Sequence, residues 1–295
     1  MTTTEALRAL LDSLAVPLVD PASRTWWPAL LVAFLLIAGL RRRLLLDALR
    51  HPSTRLDVQL LLGRRLLRTL RGGVGLGGAW LIATHAVRRL DAWFGPQDVA
   101  VPTALAVGLY TLVLFVAWDA SRFALHWAMH RFRPLWAFHQ VHHSAEVLTP
   151  LTFHRIHPLE SLLYELRGIG VTGAVTAGFF YLFRQDAVGL ELLGVPALGL
   201  VLNAVFGNLR HSDLWLRFPP AIERWFISPA QHQLHHTQEH AHRNLGTWLA
   251  VWDRLAGTLE ISQDPPARFG LPDGERNHGD DLVSAWFAPF LAVIR

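Results

Sequence analysis

Histidine clusters are the part of this sequence with the clearest chemistry. The stretch HWAMHRFRPLWAFHQVHH, residues 126–143, contains five histidines, and thirteen of the sixteen histidines in the chain fall between positions 126 and 242. Neutral imidazole is the commonest side-chain metal ligand. We therefore examined as metal ligands the histidines that share a regular spacing or lie near them: His126, His130, His139, His142, His143, His211, His232, His235 and His236.

The spacing of these histidines predicts two metal ions. His126 and His130 are four residues apart, so on a helix they point the same way. His-x-x-His-His occurs at 139–143 and again at 232–236. One tetrahedral ion takes about four ligands, and these eight imidazoles exceed that number. His211, in NLRHSD, is placed to add a ninth ligand.

The other histidines fit ordinary roles better. We expect interfacial or solvated side chains at His51, His85, His278, His240 and His242. His154 and His157 are ambiguous, and we expect His157 to support a ligand rather than to be one. All-imidazole coordination suits zinc, copper, iron or nickel rather than calcium or magnesium. Ligand type alone leaves the choice among these four metals open.

The composition indicates a membrane protein. Apolar residues make up 52% of the 295 residues and charged residues 17%, whereas about a quarter of a soluble domain is charged. The chain has no cysteine, which excludes thiolate zinc sites, cysteine-ligated iron–sulfur clusters, disulfides and a cysteine nucleophile. The net charge of +4 forms no basic stripe interleaved with aromatics, so we expect no nucleic-acid partner.

Apolar runs predict an all-α fold: a polytopic membrane bundle of four to five helices with a cytoplasmic helical cap that holds the histidine cluster. A membrane-spanning helix needs about twenty mostly apolar residues. The expected runs are 26–40, 72–87, 99–118, 168–183 and 187–206. The start of the chain lacks the pattern of a cleavable signal peptide, so we expect the first run to remain in the protein.

Arginine distribution predicts the orientation. Nine arginines lie between positions 41 and 71, which places this segment in the cytoplasm by the positive-inside rule. Counting the crossings then brings the histidine-rich segments together on the cytoplasmic face of the membrane, which we expect to be the cell's inner membrane. We divide the chain into N-terminal membrane helices (1–98), a metal-binding domain (99–262) and a C-terminal tail (263–295).

The histidine motifs and their flanks resemble a known family. The matching segments are DASRFALHWAMH, LWAFHQVHHS, RIHPLE, NLRHSD, SPAQHQLHH and NLGTWLAVWDRLAGTL. In order and spacing they are similar to the fatty acid hydroxylase/sterol desaturase superfamily of integral-membrane di-iron enzymes, over about residues 100–260. The resemblance implies two non-haem iron ions on the nine histidines and dioxygen as co-substrate. It also implies oxidation of an unactivated lipid C–H bond to a hydroxyl or a double bond, with no catalytic side chain beyond the metal centre.

Supporting residues follow from the needs of such a centre. A metal-bound histidine usually donates its other N–H to a carboxylate or a carbonyl. We expect Asp119 to serve His126 in this way, although a helix cap or an arginine partner fits Asp119 as well. Glu160 and His157 are expected to support ligands, and Asn244 to orient a loop or a water. Two electrons must come from outside, from a separate reductase or ferredoxin, because the chain has neither cysteine nor a spare haem-binding domain.

Two other functions also gather histidines. A membrane zinc hydrolase usually carries His-Glu-x-x-His, and that string is absent from the sequence. A metal transporter places ionisable ligands near the bilayer midplane in broken helices, whereas these clusters lie outside the apolar runs. About two irons per chain and oxygen-dependent turnover would favour the oxygenase over both.

Overall fold

The described part of the chain is helical. The computed structural model describes residues 27–70, 75–184, 207–271, 274–275 and 281–294, and within them two isolated β-bridges but no strand occur. The helices are α1 (Trp27–Arg50), α2 (Pro52–Leu70), α3 (Gly75–Phe94), α4 (Thr103–Arg131), α5 (Arg133–His143), α6 (Pro158–Phe183), α7 (Pro220–Glu223), α8 (Pro229–His235), α9 (Val251–Ala256) and α10 (Leu282–Ile294). The all-α prediction is confirmed for these residues.

Helices α4 and α6 are long and apolar enough to cross a membrane. Only 22% of the most apolar window of each is buried, which is too little for core helices of a soluble protein. At 1.5 Å per residue, the 29 residues of α4 extend about 44 Å, whereas the hydrocarbon layer is about 30 Å thick. His126 and His130 lie in the last two turns of α4, beyond the length that crossing requires.

Helices α4 and α6 pack antiparallel. The Tyr110 hydroxyl lies 2.9 Å from that of Thr176, and the Trp118 indole donates to Thr172 at 3.2 Å. Gly168 allows this approach, because an added Cβ would lie 3.3 Å from the Trp118 ring. The last turns of α4 and the first turn of α6 therefore lie at the same end of the bundle.

Helix α3 runs parallel to α6. Gly173 of α6 packs against Ile82 so closely that a Cβ there would lie 2.7 Å from the Ile82 Cβ. Further along both helices, Arg184 pairs with Asp91. The end of α3 thus lies at the end of the bundle away from the histidines, as the path of expected crossings requires.

The number of crossings stays a prediction. Residues 103–118 of run 99–118 lie in α4 and run 168–183 lies in α6, while run 187–206 lies outside the described residues. Residues 27–40 of run 26–40 lie in α1, which continues through the three arginines at 41–43, with a non-helical residue at Arg41. Run 72–87 largely coincides with the first part of α3. Two of the helices that the structure describes qualify as membrane spans by length and composition.

Two short helices at the histidine end, α5 and α8, form what we call the cap. Helix α5 starts two residues after the last residue of α4. Pro134 lies in its first turn, where the missing amide N–H of proline costs no helical hydrogen bond. Helix α8 is opened by a capping box, in which Ser228 accepts from the Gln231 amide while the Gln231 side chain accepts from the Ser228 amide.

Helices from outside the metal-binding range also support the cap. Leu56 and Leu60 of α2 and Ala285 of α10 form one apolar cluster with Val141 of α5. Helices α2 and α10, from the ranges predicted on either side of the metal-binding domain, therefore pack against α5.

A buried ion pair joins α2 to the segment after α5. Asp57 lies 3.1 Å from Arg155, and both side chains are at most 1% exposed. Arg155 also donates to the Ser53 carbonyl, the Val141 carbonyl and Ser144. Burial raises the pKa of Asp57 to about 6, although the Arg155 charge acts to lower it. Asp57 is therefore ionised at neutral pH and neutralises Arg155.

We expect Asp57→Asn to destabilise the protein by about 3–5 kcal/mol, because it leaves the Arg155 charge buried without its partner. Asp47→Asn in α1 is the matched control, since Asp47 is exposed, and we expect it to change stability by about 0.5 kcal/mol or less. Urea unfolding in detergent at pH 7.5, followed by circular dichroism, measures both. Equal unfolding midpoints for the two variants would contradict this role of the pair.

Candidate metal centre

The nine predicted histidines lie together in two adjacent groups. Within each group the ligand nitrogens are all within 4.8 Å of one another. The first group is His126, His130, His139, His143 and His235. The second group is His142, His211, His232 and His236. The number and the membership of the groups fit the expectation of two ions.

The two His-x-x-His-His motifs divide between the groups in opposite ways. Helical residues four apart share a face, and the residue three after the first points to one side of that face. In α5 the outer pair, His139 and His143, belongs to the first group, and His142 belongs to the second. At α8 the outer pair belongs to the second group and His235 belongs to the first. Each of these short segments therefore joins both groups.

The Nε2 atoms face one another at ligand-like distances. The Nε2 of His126 lies 3.0 Å from that of His139, 3.2 Å from that of His130 and 3.1 Å from that of His235. In the second group the Nε2 of His211 has three such neighbours, at 3.1 to 3.4 Å. A metal–nitrogen bond of about 2.1 Å separates neighbouring ligand nitrogens by about 3.0 Å in an octahedron and about 3.4 Å in a tetrahedron.

Backbone carbonyls fix the tautomer of three of these histidines. A carbonyl only accepts, so each Nδ1 in contact with one carries the proton, and the Nε2 of that ring has a lone pair. The pairs are His126 with Leu245 at 2.7 Å, His142 with Arg155 at 3.1 Å and His235 with Arg243 at 2.8 Å.

Glu160 orients a fourth histidine. Its Oε1 lies 2.9 Å from the Nδ1 of His139, and both side chains are 2% exposed. Since α6 begins at Pro158, the antiparallel packing of α4 and α6 brings this carboxylate to the histidines. The position of Glu160 matches its expected supporting role.

These contacts make the first group suitable for a cation. The Nε2 lone pairs of His126, His139 and His235 converge, and two lone pairs at 3.0 Å repel rather than hydrogen-bond. A positive ion among them converts the repulsion into coordination. The donor set and its tautomers therefore fit a metal ion.

Burial keeps the histidines of the cap in the neutral form that binds metals. Desolvation lowers the pKa of each well below 6.5, and the neighbouring imidazoles lower it further. This applies to His142, His143, His232, His235 and His236. At neutral pH these ligands have no proton to lose before they coordinate.

Asp119 does not contact His126, contrary to our first expectation. Its carboxylate accepts from the amides of Trp248 and Leu249 and from the Trp252 indole, at 2.9 to 3.0 Å. The polar partner of His126 is instead the carbonyl of Leu245. Asp119 thus acts at one remove, because it holds the loop that presents this carbonyl. Sequence spacing placed the acid on the correct helix but could not show a loop more than a hundred residues away.

His157 caps helix α6 and has no hydrogen bond to a histidine. Its Nδ1 accepts from the Leu159 amide at 3.0 Å, and its Nε2 donates to the Trp286 carbonyl at 3.0 Å. Its ring packs against Phe138 and Phe290. The expected support of a ligand is therefore wrong in its direct form: His157 fixes the start of α6, three residues before Glu160.

Asn244 orients a loop, one of the two roles expected for it. It has a positive φ of 52°, which asparagine tolerates better than most residues. Its side chain donates to the Gln231 carbonyl and accepts from the Glu260 amide. In the same loop, Asp253 accepts from the amides of Leu245 and Gly246 at 2.7 to 2.8 Å.

Three polar residues that position α8 were not predicted from the sequence. Glu223 is fully buried and accepts from Ser228 and Ser262. Gln231 and Gln233 lie between the histidines of α8, and Gln233 donates to the Leu209 and Leu214 carbonyls. Gln233 therefore holds α8 against the segment that carries His211. Polar residues between ligand positions were the available signal.

The remaining described histidines of this region have other partners. His240 contacts Glu260 at 3.0 Å, and Arg64 donates to His154 at 2.8 Å. His242 is exposed, as expected, but its Nδ1 lies 3.2 Å from that of His130. His242 thus lies at the outer edge of the first group without belonging to it.

A small cavity of about 40 Å³ opens beside both groups. Histidines from each group line it, together with Glu160, Tyr164, Phe153, Arg122 and Arg210. A single water needs about 10–15 Å³ on this measure, so the cavity holds a few small molecules or one end of a larger one.

Comparisons with known proteins agree with this geometry. The family model described as fatty acid hydroxylase matches residues 111–258. Relatives include the very-long-chain aldehyde decarbonylase GL1-1 of Oryza sativa, which is 28% identical over 63% of this chain and 28% of its own length. The ornithine lipid hydroxylase OlsE of Rhizobium tropici is 28% identical over 66% of this chain and 55% of its own length.

The alkylglycerol monooxygenase of Danio rerio is 26% identical over 60% of this chain and 35% of its own length. The chain thus spans about half or less of the length of these relatives. No solved structure gives a significant match.

We expect the two groups to respond differently to the loss of one histidine. His236→Ala leaves the second group with three imidazoles, so metal content should fall by about one ion per chain. His143→Ala leaves the first group with four, enough for a tetrahedral site, so the loss should be smaller. Elemental analysis by mass spectrometry measures both, with His240→Ala as the control that keeps all nine histidines. Equal metal content in all three variants would argue against a metal centre.

We expect Glu160→Gln to weaken metal binding about 10- to 100-fold, because the amide no longer fixes the His139 tautomer as a carboxylate does. Glu146→Gln is the control, since Glu146 is exposed and its carboxylate lies 3.8 Å from His51, which belongs to neither group. Competition against a chelator of known affinity measures the change. Unchanged affinity in Glu160→Gln would refute this role.

Proposed function

Because the chain belongs to the fatty acid hydroxylase family, we propose that it is a membrane enzyme that oxidises a C–H bond of a lipid at a centre of two iron ions. The observation that carries the proposal is the convergence of nine Nε2 atoms in two adjacent groups. In the first group the histidines would hold one ion through five imidazoles, and in the second group a second ion through four.

The reaction needs both dioxygen and electrons. Bound iron would activate dioxygen. Without this activation, dioxygen does not react with an unactivated C–H bond. In hydroxylation one oxygen atom enters the C–H bond and the other leaves as water, with two electrons and two protons consumed. Desaturation of the lipid uses the same co-substrates and releases two waters.

Residues of the chain hold the imidazole ligands in the orientation that metal binding requires. Neutral imidazoles offer lone pairs to the metal, and their Nδ1–H bonds to carbonyls and to Glu160 hold the rings in place. The low exposure of the ligands keeps water away from a reactive site. The cavity has room for small molecules or for one end of a substrate.

Iron is favoured over zinc by the kind of reaction. Imidazole ligands suit both metals, but zinc has no redox chemistry. Relatives named as a hydroxylase and as a monooxygenase carry out oxidations. A zinc hydrolase and a metal transporter remain the alternatives, and metal identity and oxygen dependence separate them from the proposal.

The electron donor is a separate protein. No cysteine is available anywhere in the chain to hold an iron–sulfur cluster. We propose a reductase or ferredoxin that approaches the cap, where the histidines lie outside the apolar length of α4.

The enzyme would lie in the inner membrane with the metal centre facing the cytoplasm. The arginine-rich helix α2 packs on α5, and arginine-rich segments favour the cytoplasmic side. We propose four to five crossings, of which α4 and α6 flank the centre.

Oxygen labelling tests the reaction. Membranes that contain the protein, a reductase system and ¹⁸O₂ should yield lipids that gain one labelled oxygen, detected by mass spectrometry of the extract. Each product of hydroxylation should carry label from O₂ and none from water. His142→Ala should abolish the product, because it removes one of four ligands from the second group.

The control for this assay is His240→Ala, which we expect to retain activity, since its partner is Glu260. Products that form without dioxygen, or that form equally in His142→Ala, would exclude the proposed oxidation.

A further inference from the structure

Arg210 is a buried cation that lines the cavity beside the candidate metal centre. It is 2% exposed and directly precedes His211. One face of its guanidinium lies on the Trp248 ring, 4.0 Å from the centroid. Its Nε and Nη2 have no hydrogen-bond partner among the described residues. These two nitrogens form one edge of the guanidinium, the edge that can hold a carboxylate with two parallel bonds.

The acids nearby do not occupy this edge. Asp119 acts on Arg210 through its charge, but its oxygens accept from two backbone amides and the Trp252 indole. Glu160 lines the same cavity and has one oxygen on His139. Arginine keeps its charge at neutral pH, so Arg210 is a cation in the cavity wall.

The surroundings of Arg210 favour an anion. Arg122 lines the same cavity, where it donates to Thr247 at 2.9 Å and lies over the Tyr164 ring. Two arginines therefore line a space of about 40 Å³, which is large enough for a carboxylate group. Natural proteins rarely leave a buried guanidinium edge unfilled, because an unpaired buried donor is costly.

Apolar residues indicate that the anion belongs to an amphiphile. Phe153 and Ile156 line the cavity alongside the two arginines. The cavity also lies where α4 ends and α6 begins, and the apolar windows of both helices are largely exposed. An acyl chain can lie along these helices while its acidic group enters the cavity.

We propose that the guanidinium of Arg210 binds the carboxylate of an acidic lipid substrate, with the carboxylate inside the cavity next to the histidines. That this lipid is a substrate rests on the proposed function. The binding site itself does not depend on turnover. Arg210 is then a specificity residue, which separates acidic lipids from neutral ones.

Equilibrium binding tests the site. The full-length protein in neutral-lipid nanodiscs is titrated by calorimetry with decanoate, decanol and acetate. Wild-type protein should bind decanoate about tenfold or more tightly than decanol, because a charge-assisted pair of hydrogen bonds is worth at least that factor. Acetate should bind more weakly than decanoate, because it lacks the apolar chain.

Variants assign the preference to Arg210. Arg210→Met should lose the preference for decanoate over decanol, and Arg210→Lys should keep only part of it, since lysine has no planar fork. Arg217→Met is the control, because Arg217 is exposed and its Nε contacts Ser262. All preparations are compared at equal metal content, so that direct binding of decanoate to metal would persist in Arg210→Met.

Each remaining outcome overturns the inference. Equal binding of decanoate and decanol by the wild type would show that no carboxylate site exists, even if Arg210→Met fails to fold. Acetate binding as tight as decanoate binding would indicate a site for a soluble anion instead of a lipid. An unchanged preference in Arg210→Met would assign the carboxylate to another group. Because no turnover is measured, these results stand apart from the oxygen-labelling assay.

Discussion

Convergence of imidazole lone pairs is the constraint on which the structure of the cap depends. In the first group the Nε2 atoms of His139 and His235 lie 3.0 and 3.1 Å from that of His126. Hydrogen bonds at Nδ1 hold the three rings in this repelling orientation. This repulsion destabilises the fold unless a cation is bound. The surrounding contacts must therefore supply the free energy that offsets it. The buried Asp57–Arg155 pair, the Glu223 network and the loop held by Asp119 are the contacts that resist relaxation.

Helix periodicity explains how two short motifs serve two ions. A His-x-x-His-His segment sends its outer histidines to one side and its middle one to another, so a single copy cannot surround one ion. Two copies in opposite arrangement complete both groups, and His126, His130 and His211 add the remaining ligands. Moving one motif by one residue would disturb both groups at once. The regular spacing is therefore a requirement of the geometry and was visible in the sequence for that reason.

Local spacing made the ligands predictable, whereas their support came from distant parts of the chain. All nine histidines of the two groups and the helices that carry most of them followed from motifs and periodicity. The Leu245 carbonyl on His126 did not, because backbone acceptors leave no signature in side-chain identity. Asp119 and His157 were assigned by nearness in sequence, and each instead bonds residues more than a hundred positions away. Glu223 was missed since a single acid carries no pattern.

The lengths of α4 and α6 decide how a lipid can reach the cap. Helix α4 places His126 about 35 Å from its start at 1.5 Å per residue, while the hydrocarbon layer measures about 30 Å. In the proposed crossing, the histidines would lie within a few ångströms of the membrane boundary, and a reacting carbon would need to leave the bilayer only briefly. A cavity of about 40 Å³ cannot enclose an acyl chain. Most of a lipid substrate would therefore stay against the exposed apolar faces of α4 and α6, and only its reacting end would enter the polar site.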